Sequence, residues 1–207
     1  LFISDISPAW IQLVMVCHFI IYLYSLKLQH WPLIGNLLVS LLCSIVIFIP
    51  YWIFNDHWSF KSLDLLENIN EVFVIFCFLF TLKREIIKDM EDMEGDQKIN
   101  ANTLAIKYGI EKTRKIIVFL ILIPVFGIAY FQYNALISNF FVELNYSMEN
   151  LITVLYISLI QFLLIILLVK MNKSNKKSDF YFSSSLCKVI MIVGILSIPL
   201  FTYLQLN

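Results

Sequence analysis

Six apolar stretches, each close to the length needed to cross a lipid bilayer, dominate this sequence of 207 residues. A membrane-spanning helix needs about 17 to 25 mostly apolar residues, and hydrophobic residues make up 60% of the chain. Backbone groups in lipid must be hydrogen-bonded internally, and no stretch alternates like a barrel strand. The sequence therefore predicts an all-α, polytopic integral membrane helical bundle, with 1–207 as a single membrane domain. The predicted spans are residues 8–26, 33–54, 69–82, 116–131, 151–169 and 186–204.

Basic residues are concentrated at one end of the predicted bundle. Of the 15 Lys and Arg residues, only Lys61 lies in the connections 55–71 and 132–150. All the others lie at the opposite end, at Lys27, within 83–115 and within 170–188. Because basic residues are enriched in cytoplasmic loops, this end is predicted to be cytoplasmic and both chain ends external.

A row of carboxylates follows the third span directly. At about 100° per residue, Glu85, Asp89, Asp92 and Asp96 share one narrow stripe of a helix, and Arg84 and Lys88 flank it. Clustered like charges repel one another until a cation neutralises them, and hard oxygen ligands favour Mg²⁺ or Ca²⁺ over a soft metal. The alternative is a solvated helix end with (i, i+4) charge pairs.

Two further segments accompany this acidic stripe. Thr103 to Gly109 is short and mildly amphipathic, which suits a cytoplasmic cap over the stripe, and Tyr24 and Lys27 precede Pro32 to Asn36 at the same end. The pattern resembles the UbiA superfamily of membrane prenyltransferases. Residues 84–96 followed by Thr103 and Leu104 look like its second aspartate-rich motif, and residues 24–36 look like its second cytoplasmic loop. The string at 84–96 is most similar to the branch related to digeranylgeranylglyceryl phosphate synthases, with quinone-ring and haem prenylation as alternatives.

The resemblance implies an enzyme that moves a polyprenyl group from a polyprenyl diphosphate to a hydrophobic or glycerol-phosphate acceptor. It implies Mg²⁺ as cofactor, held by Asp92 and Asp96, with Asp89 as a supporting acid. The diphosphate would be bound by Arg84, Lys88, Lys27 and Tyr24. The site is expected on the cytoplasmic side of a bacterial or archaeal cell membrane, among membrane lipids and without a nucleic-acid partner.

The chain also departs from the family pattern. The first aspartate-rich motif is absent, since Asn55 and Asp56 lack the later acids, and the family usually has nine spans. The sequence is therefore expected to be the C-terminal two-thirds of a longer protein and to be inactive alone. Asn100 replaces a usual glycine, which Asn can do because it tolerates a left-handed backbone. A CDP-alcohol phosphotransferase would need an Asp-Gly-x-x-Ala-Arg string that does not occur; a transporter and a non-catalytic remnant stay open as alternatives.

The topology gives the first prediction: positions 98 and 177 are cytoplasmic, and positions 145 and 207 are external. In a cysteine-free background, a membrane-impermeant maleimide should modify Asn145→Cys and Asn207→Cys in intact cells. It should modify Lys98→Cys and Lys177→Cys only after the membrane is permeabilised. External labelling at position 98 would contradict both the orientation and the cytoplasmic site.

Overall fold

A computed structural model describes residues 8–26, 31–55, 63–138 and 148–206 of the chain. Within these ranges the fold is entirely helical, and each predicted span coincides with one helix. The all-α prediction is therefore confirmed. The six helices are α1 (Pro8–Leu26), α2 (Ile34–Asn55), α3 (Leu63–Lys98), α4 (Leu104–Ser138), α5 (Met148–Lys173) and α6 (Lys177–Leu206).

The helices pack around α3. It contacts α2, α4 and α6, while α4 packs on α5 and α5 on α6, so that α3 to α6 form a closed group of four. The α2 helix lies along α3, and α1 packs on α2. The core of this group joins Phe80 and Ile86 of α3 to Ile117 of α4, Leu164 of α5 and Ile190 of α6, all with no exposed surface. The central helix is therefore held from several sides.

The outer surfaces of these helices are strongly apolar. Phe126 is 67% exposed, Phe119 65% and Leu155 60%, which would be unfavourable against water and is expected against lipid. Among the described residues, three segments are long and apolar enough to cross a membrane: Leu104–Asn134, Leu151–Lys173 and Lys177–Phe201. The α1 and α2 helices contain shorter apolar segments. The chain is an integral membrane protein.

The α3 helix is longer than a bilayer is thick. Its 36 residues span about 54 Å at 1.5 Å per residue, against a hydrocarbon core of about 30 Å. The third span, which was predicted for residues 69–82, therefore continues as one helix through the charged residues. The acidic stripe lies on the part of α3 that extends beyond the apolar span.

The turn from α3 into α4 is closed by a left-handed residue. Asn100 has φ 53°, and the backbone N–H of the next residue, Ala101, donates to the Asp96 carbonyl at 2.9 Å. These features form a Schellman motif with asparagine in the position usually taken by glycine, so the expectation for Asn100 is confirmed. The α4 helix is then interrupted at Gly109 (φ 79°, ψ 162°), which separates the predicted cap segment from the long span.

The α5–α6 turn lies at the same end of the bundle as this interruption. The guanidinium of Arg114 on α4 donates to the Ser174 carbonyl at 3.0 Å and to Asn175 Oδ1 at 2.9 Å. Asp179 lies in the first turn of α6, and its Oδ2 accepts from the preceding backbone N–H groups of Asn175 and Lys176, as the acid of a capping box does. The lysine-rich turn is therefore fixed near the end of α3 that carries the acids.

A glycine allows α3 and α6 to approach closely. A Cβ built on Gly194 would lie 2.6 Å from Cε1 of Phe76, and the Phe76 ring is itself stacked on Phe80 with centroids 4.0 Å apart. The ring has little room to move, because its neighbour belongs to the buried core. The close crossing of α3 and α6 thus depends on the absence of a side chain at Gly194.

We therefore predict that Gly194→Ala destabilises the bundle by about 1 to 3 kcal/mol, the usual cost of overpacking a core. Gly127→Ala is the matched control, since nothing lies within 4 Å of its Cβ position and alanine favours a helix over glycine. Thermal unfolding in detergent would compare the two. Equal behaviour of both variants would show that the α3–α6 crossing is not tight.

Candidate functional site

The acidic stripe runs along one face of the protruding part of α3. Glu85, Asp89, Asp92 and Asp96 are all half-buried, whereas the neighbouring Glu94 is exposed. The opposite face of the same turns carries buried Ile86, Ile87 and Met90. A single helix therefore fixes the row of acids by packing its other side into the core.

Asn36 joins the stripe from α2. Its Nδ2 donates a hydrogen bond of 2.8 Å to Asp89 Oδ2, linking two residues that are 53 positions apart. The residue stands near the start of α2, immediately after the turn in which Leu33 has φ 69°. The sequence analysis assigned Asn36 to a loop at this end without a functional role. Its spacing from the acids does not indicate which of them it contacts.

Burial changes the protonation of Asp89. The pKa of its carboxyl is raised to about 6, chiefly by desolvation and also by the negative charges of Asp96 and Glu85. The hydrogen bond from Asn36 and the charge of Lys88 act in the opposite direction. Asp89 is thus an acid whose ionised form is disfavoured by its surroundings and would be favoured by a bound cation.

The four residues predicted to bind the diphosphate differ in their surroundings. Arg84 forms an ion pair and hydrogen bond with Glu85, and Lys88 is exposed. Tyr24 of α1 is half-buried, and its hydroxyl lies within electrostatic range of Glu85 and Asp89. Lys27 lies outside the described residues.

Lys83 does not join the cations around the stripe. It is fully buried, its Nζ lies 3.5 Å from the centroid of the Phe80 ring, and within the described part of the chain Nζ has no hydrogen-bond partner. Six residues at 100° each place Lys83 about 120° from Asp89 around the helix. Helical geometry could have shown its separation from the stripe, but its complete burial depends on packing.

The stripe offers carboxylate oxygens, the ligand atoms that a hard divalent cation prefers, but these oxygens do not form a closed cage. In the part of the chain that the structure describes, no three His, Cys, Asp or Glu side chains converge on a common point. Magnesium is usually held by one or two carboxylates, with waters and substrate phosphates completing the octahedron. Carboxylates spaced along one helix face fit that mode of binding rather than a closed protein cage.

Comparison with known proteins agrees with this geometry. The model of the UbiA prenyltransferase family matches residues 5–186, which includes α1 to α5 and the start of α6. The chain belongs to the UbiA prenyltransferase family. No solved structure gives a significant match to this UbiA-family chain.

Its curated relatives include several digeranylgeranylglyceryl phosphate synthases. The protein of Methanobrevibacter smithii is 36% identical over 123 residues, which are 58% of this chain and 41% of that protein. The protein of Methanosphaera stadtmanae is 37% identical over 99 residues, 48% of this chain and 33% of that protein. The protein of Sulfurisphaera tokodaii is 32% identical over 118 residues, 55% of this chain and 40% of that protein. The UbiA-family chain thus matches about two-fifths or less of the length of these relatives.

The electrostatics of Asp89 generate a prediction for this UbiA-family chain. Because the pKa of Asp89 is raised to about 6 from 3.8, protonation stabilises the fold at low pH, and this contribution is lost as the pH rises through about 6. Without divalent cations, Asp89→Asn should therefore increase the free energy of unfolding at pH 7.5 by up to about 3 kcal/mol. The measurement is the unfolding temperature, which should be higher for the variant. The amide oxygen can still accept from Asn36. The gain should shrink at pH 4.5.

Glu94→Gln is the matched control, since Glu94 is exposed on the same helix. It should change the unfolding temperature little at either pH. Added Mg²⁺ should stabilise the native sequence more than Asp89→Asn, because only the native side chain can be neutralised by a cation. A larger gain at pH 4.5 than at pH 7.5 would contradict this account of Asp89.

Proposed function

We propose that this UbiA-family chain contributes half of the active site of an intramembrane prenyltransferase. The enzyme would move a polyprenyl group from a polyprenyl diphosphate to a lipid or aromatic acceptor. The observation that carries the proposal is the row of half-buried carboxylates at the end of α3, tied to α2 by Asn36 and Asp89. These acids lie at one end of an apolar bundle, where a polar diphosphate and a hydrocarbon tail can be bound together.

In this proposal the acids bind the donor through a metal. Asp92 and Asp96 would hold Mg²⁺, and Asp89, which accepts a hydrogen bond from Asn36, would support them as a nearby acid. Bound Mg²⁺ supplies positive charge to the leaving diphosphate. The number of carboxylates fits this role, since substrate phosphates provide the remaining ligands.

The cations of the chain would bind the diphosphate directly. Arg84 and Lys88 flank the stripe on α3, Lys27 would join them from the segment that follows α1, and Tyr24 lies within electrostatic range of Glu85 and Asp89. Arg84 has five N–H donors, so it can keep its ion pair with Glu85 and still donate to a phosphate oxygen. As the allylic carbon–oxygen bond breaks, its electron pair passes to the diphosphate, and these groups stabilise the growing negative charge. The acceptor nucleophile then bonds to the allylic carbon and loses its proton.

The apolar helices explain why such chemistry takes place in a membrane. A polyprenyl tail has no favourable contact with water, whereas the exposed surfaces of α4, α5 and α6 are hydrocarbon. We propose a glycerol-phosphate acceptor, because the relatives named above are digeranylgeranylglyceryl phosphate synthases. The active site would face the cytoplasm of a bacterial or archaeal cell, on the side that holds the basic residues.

The test is prenyl transfer by Asp92→Asn and Asp96→Asn in the complete reading frame. Each removes one charge from a partly exposed side chain, so membrane insertion should persist while transfer from labelled geranylgeranyl diphosphate falls about a hundredfold or more. Glu94→Gln changes an exposed acid of the same segment and should retain activity. A panel of glycerol-phosphate, quinone-ring and haem acceptors would identify the acceptor class.

Two outcomes would overturn the proposal. Near-normal turnover by both aspartate variants at limiting Mg²⁺ would remove the metal-binding role of the stripe. Absence of transfer by the unaltered complete protein with every acceptor would favour a non-catalytic remnant. The 207 residues assayed alone are expected to give no turnover, because one aspartate-rich motif leaves part of the diphosphate charge unneutralised.

A further inference from the structure

A groove lies away from the acidic stripe, where α5 ends beside the start of α6. Its volume is about 430 Å³, and its lining is half aliphatic and half charged. The lining residues are Ile165, Ile166, Val169, Lys170, Lys173 and Asp179. None of these residues belongs to the stripe or to the groups assigned to the diphosphate.

The groove crosses the boundary between lipid and water. Ile165 and Val169 are 43% and 50% exposed on a helix segment apolar enough to span a membrane, so their surfaces face lipid. Lys170 and Lys173 follow in the last turn of α5, immediately before the turn fixed by Arg114. The rise from Ile165 to Lys173 is about 12 Å, the depth of a headgroup with the first part of its acyl chain.

The charged end of the groove is strongly basic. Residues 170–179 contain the lysines Lys170, Lys173, Lys176 and Lys177 against the single acid Asp179. That acid is engaged, because its Oδ2 accepts from the backbone N–H groups of Asn175 and Lys176 at 3.2 and 3.1 Å. The carboxylate thus accepts from the backbone at the start of α6 and also interacts with Lys170 and Lys176, and this single acid leaves three of the four lysine charges unbalanced.

One lysine is held in place at the groove. Lys170 Nζ lies 5.1 Å from the ring centroid of Phe182 on α6, a distance at which an ammonium group and an aromatic face attract each other. This contact favours a position of the Lys170 side chain across the α5–α6 junction. The groove thus has a positioned cation at its polar end and an aliphatic wall leading into the membrane.

From these observations we infer that the groove binds an anionic phospholipid. Lys170 and Lys173 would contact the headgroup phosphate, and an acyl chain would lie along Ile165, Ile166 and Val169. Basic pockets between transmembrane helices recognise anionic headgroups in this way. The aliphatic wall favours a lipid over a free phosphate ion, and the lysines favour an anionic headgroup over a zwitterionic one. This inference does not depend on the proposed catalytic function.

The experiment measures lipid binding to the purified chain in detergent by native mass spectrometry. Phosphatidylglycerol is titrated against phosphatidylcholine, with glycerol 3-phosphate as the headgroup without acyl chains. Since each lysine near a membrane surface is expected to contribute about fivefold in affinity, the double variant Lys170→Gln, Lys173→Gln should bind phosphatidylglycerol about 25-fold more weakly. The native chain should bind phosphatidylcholine and glycerol 3-phosphate much more weakly than phosphatidylglycerol.

The matched control is Lys107→Gln with Lys115→Gln, which removes two exposed lysines elsewhere at the same end of the bundle. It should retain the affinity of the native chain within about twofold, as should Lys170→Arg with Lys173→Arg, which keeps the charge. Unfolding temperatures without added lipid would verify that all variants fold. If both pairs of glutamine substitutions weakened phosphatidylglycerol binding equally, the effect would come from the overall surface charge and not from the groove. That result would overturn the inference. Equal binding of glycerol 3-phosphate and phosphatidylglycerol would show an anion site without lipid recognition, and would overturn it as well.

Discussion

The α3 helix has to bury one face in the core and present a row of carboxylates on the other, over the same three turns. Ile86, Ile87 and Met90 pack inward while Glu85, Asp89 and Asp92 lie on the opposite side. The hydrophobic contacts of the inner face oppose the mutual repulsion of the acids and keep the helix continuous beyond the apolar span. Every other feature of the site depends on this arrangement, because the acids have fixed positions only while the helix is held.

The same arrangement would prepare the proposed site for a cation. Asp89 is buried enough for its pKa to rise, yet Asn36 donates a hydrogen bond that favours the charged form. A divalent ion stabilises the charged form of such a buried carboxylate more than that of a fully solvated carboxylate, because the solvated group is already stabilised by water. The exposed Glu94 on the same helix shows the contrast, since it has solvent instead of a partner helix.

Two kinds of anion recognition would then exist at one end of the bundle. The acids of α3 suit a diphosphate that arrives with a metal, whereas the lysines of the α5–α6 groove suit a headgroup phosphate directly. Arg114 and the cap by Asp179 hold the lysine-rich turn in place, and the Schellman turn at Asn100 holds the start of α4. Hydrogen bonds to backbone groups thus organise the polar end, while hydrocarbon packing organises the rest.

The sequence by itself determined the features that depend on local periodicity. Six helices and the stripe of carboxylates follow from spacing within a few residues, whereas the left-handed Asn100 was expected from the family resemblance together with the backbone tolerance of asparagine. The pairing of Asn36 with Asp89 across 53 positions could not be derived in this way, because it requires α2 to lie against α3 in one register. The burial of Lys83 against Phe80 and the groove between α5 and α6 likewise depend on which helices become neighbours. Sequence periodicity tells which side of a helix is apolar, but only the packed bundle decides which neighbouring helix covers it and which polar groups then come together.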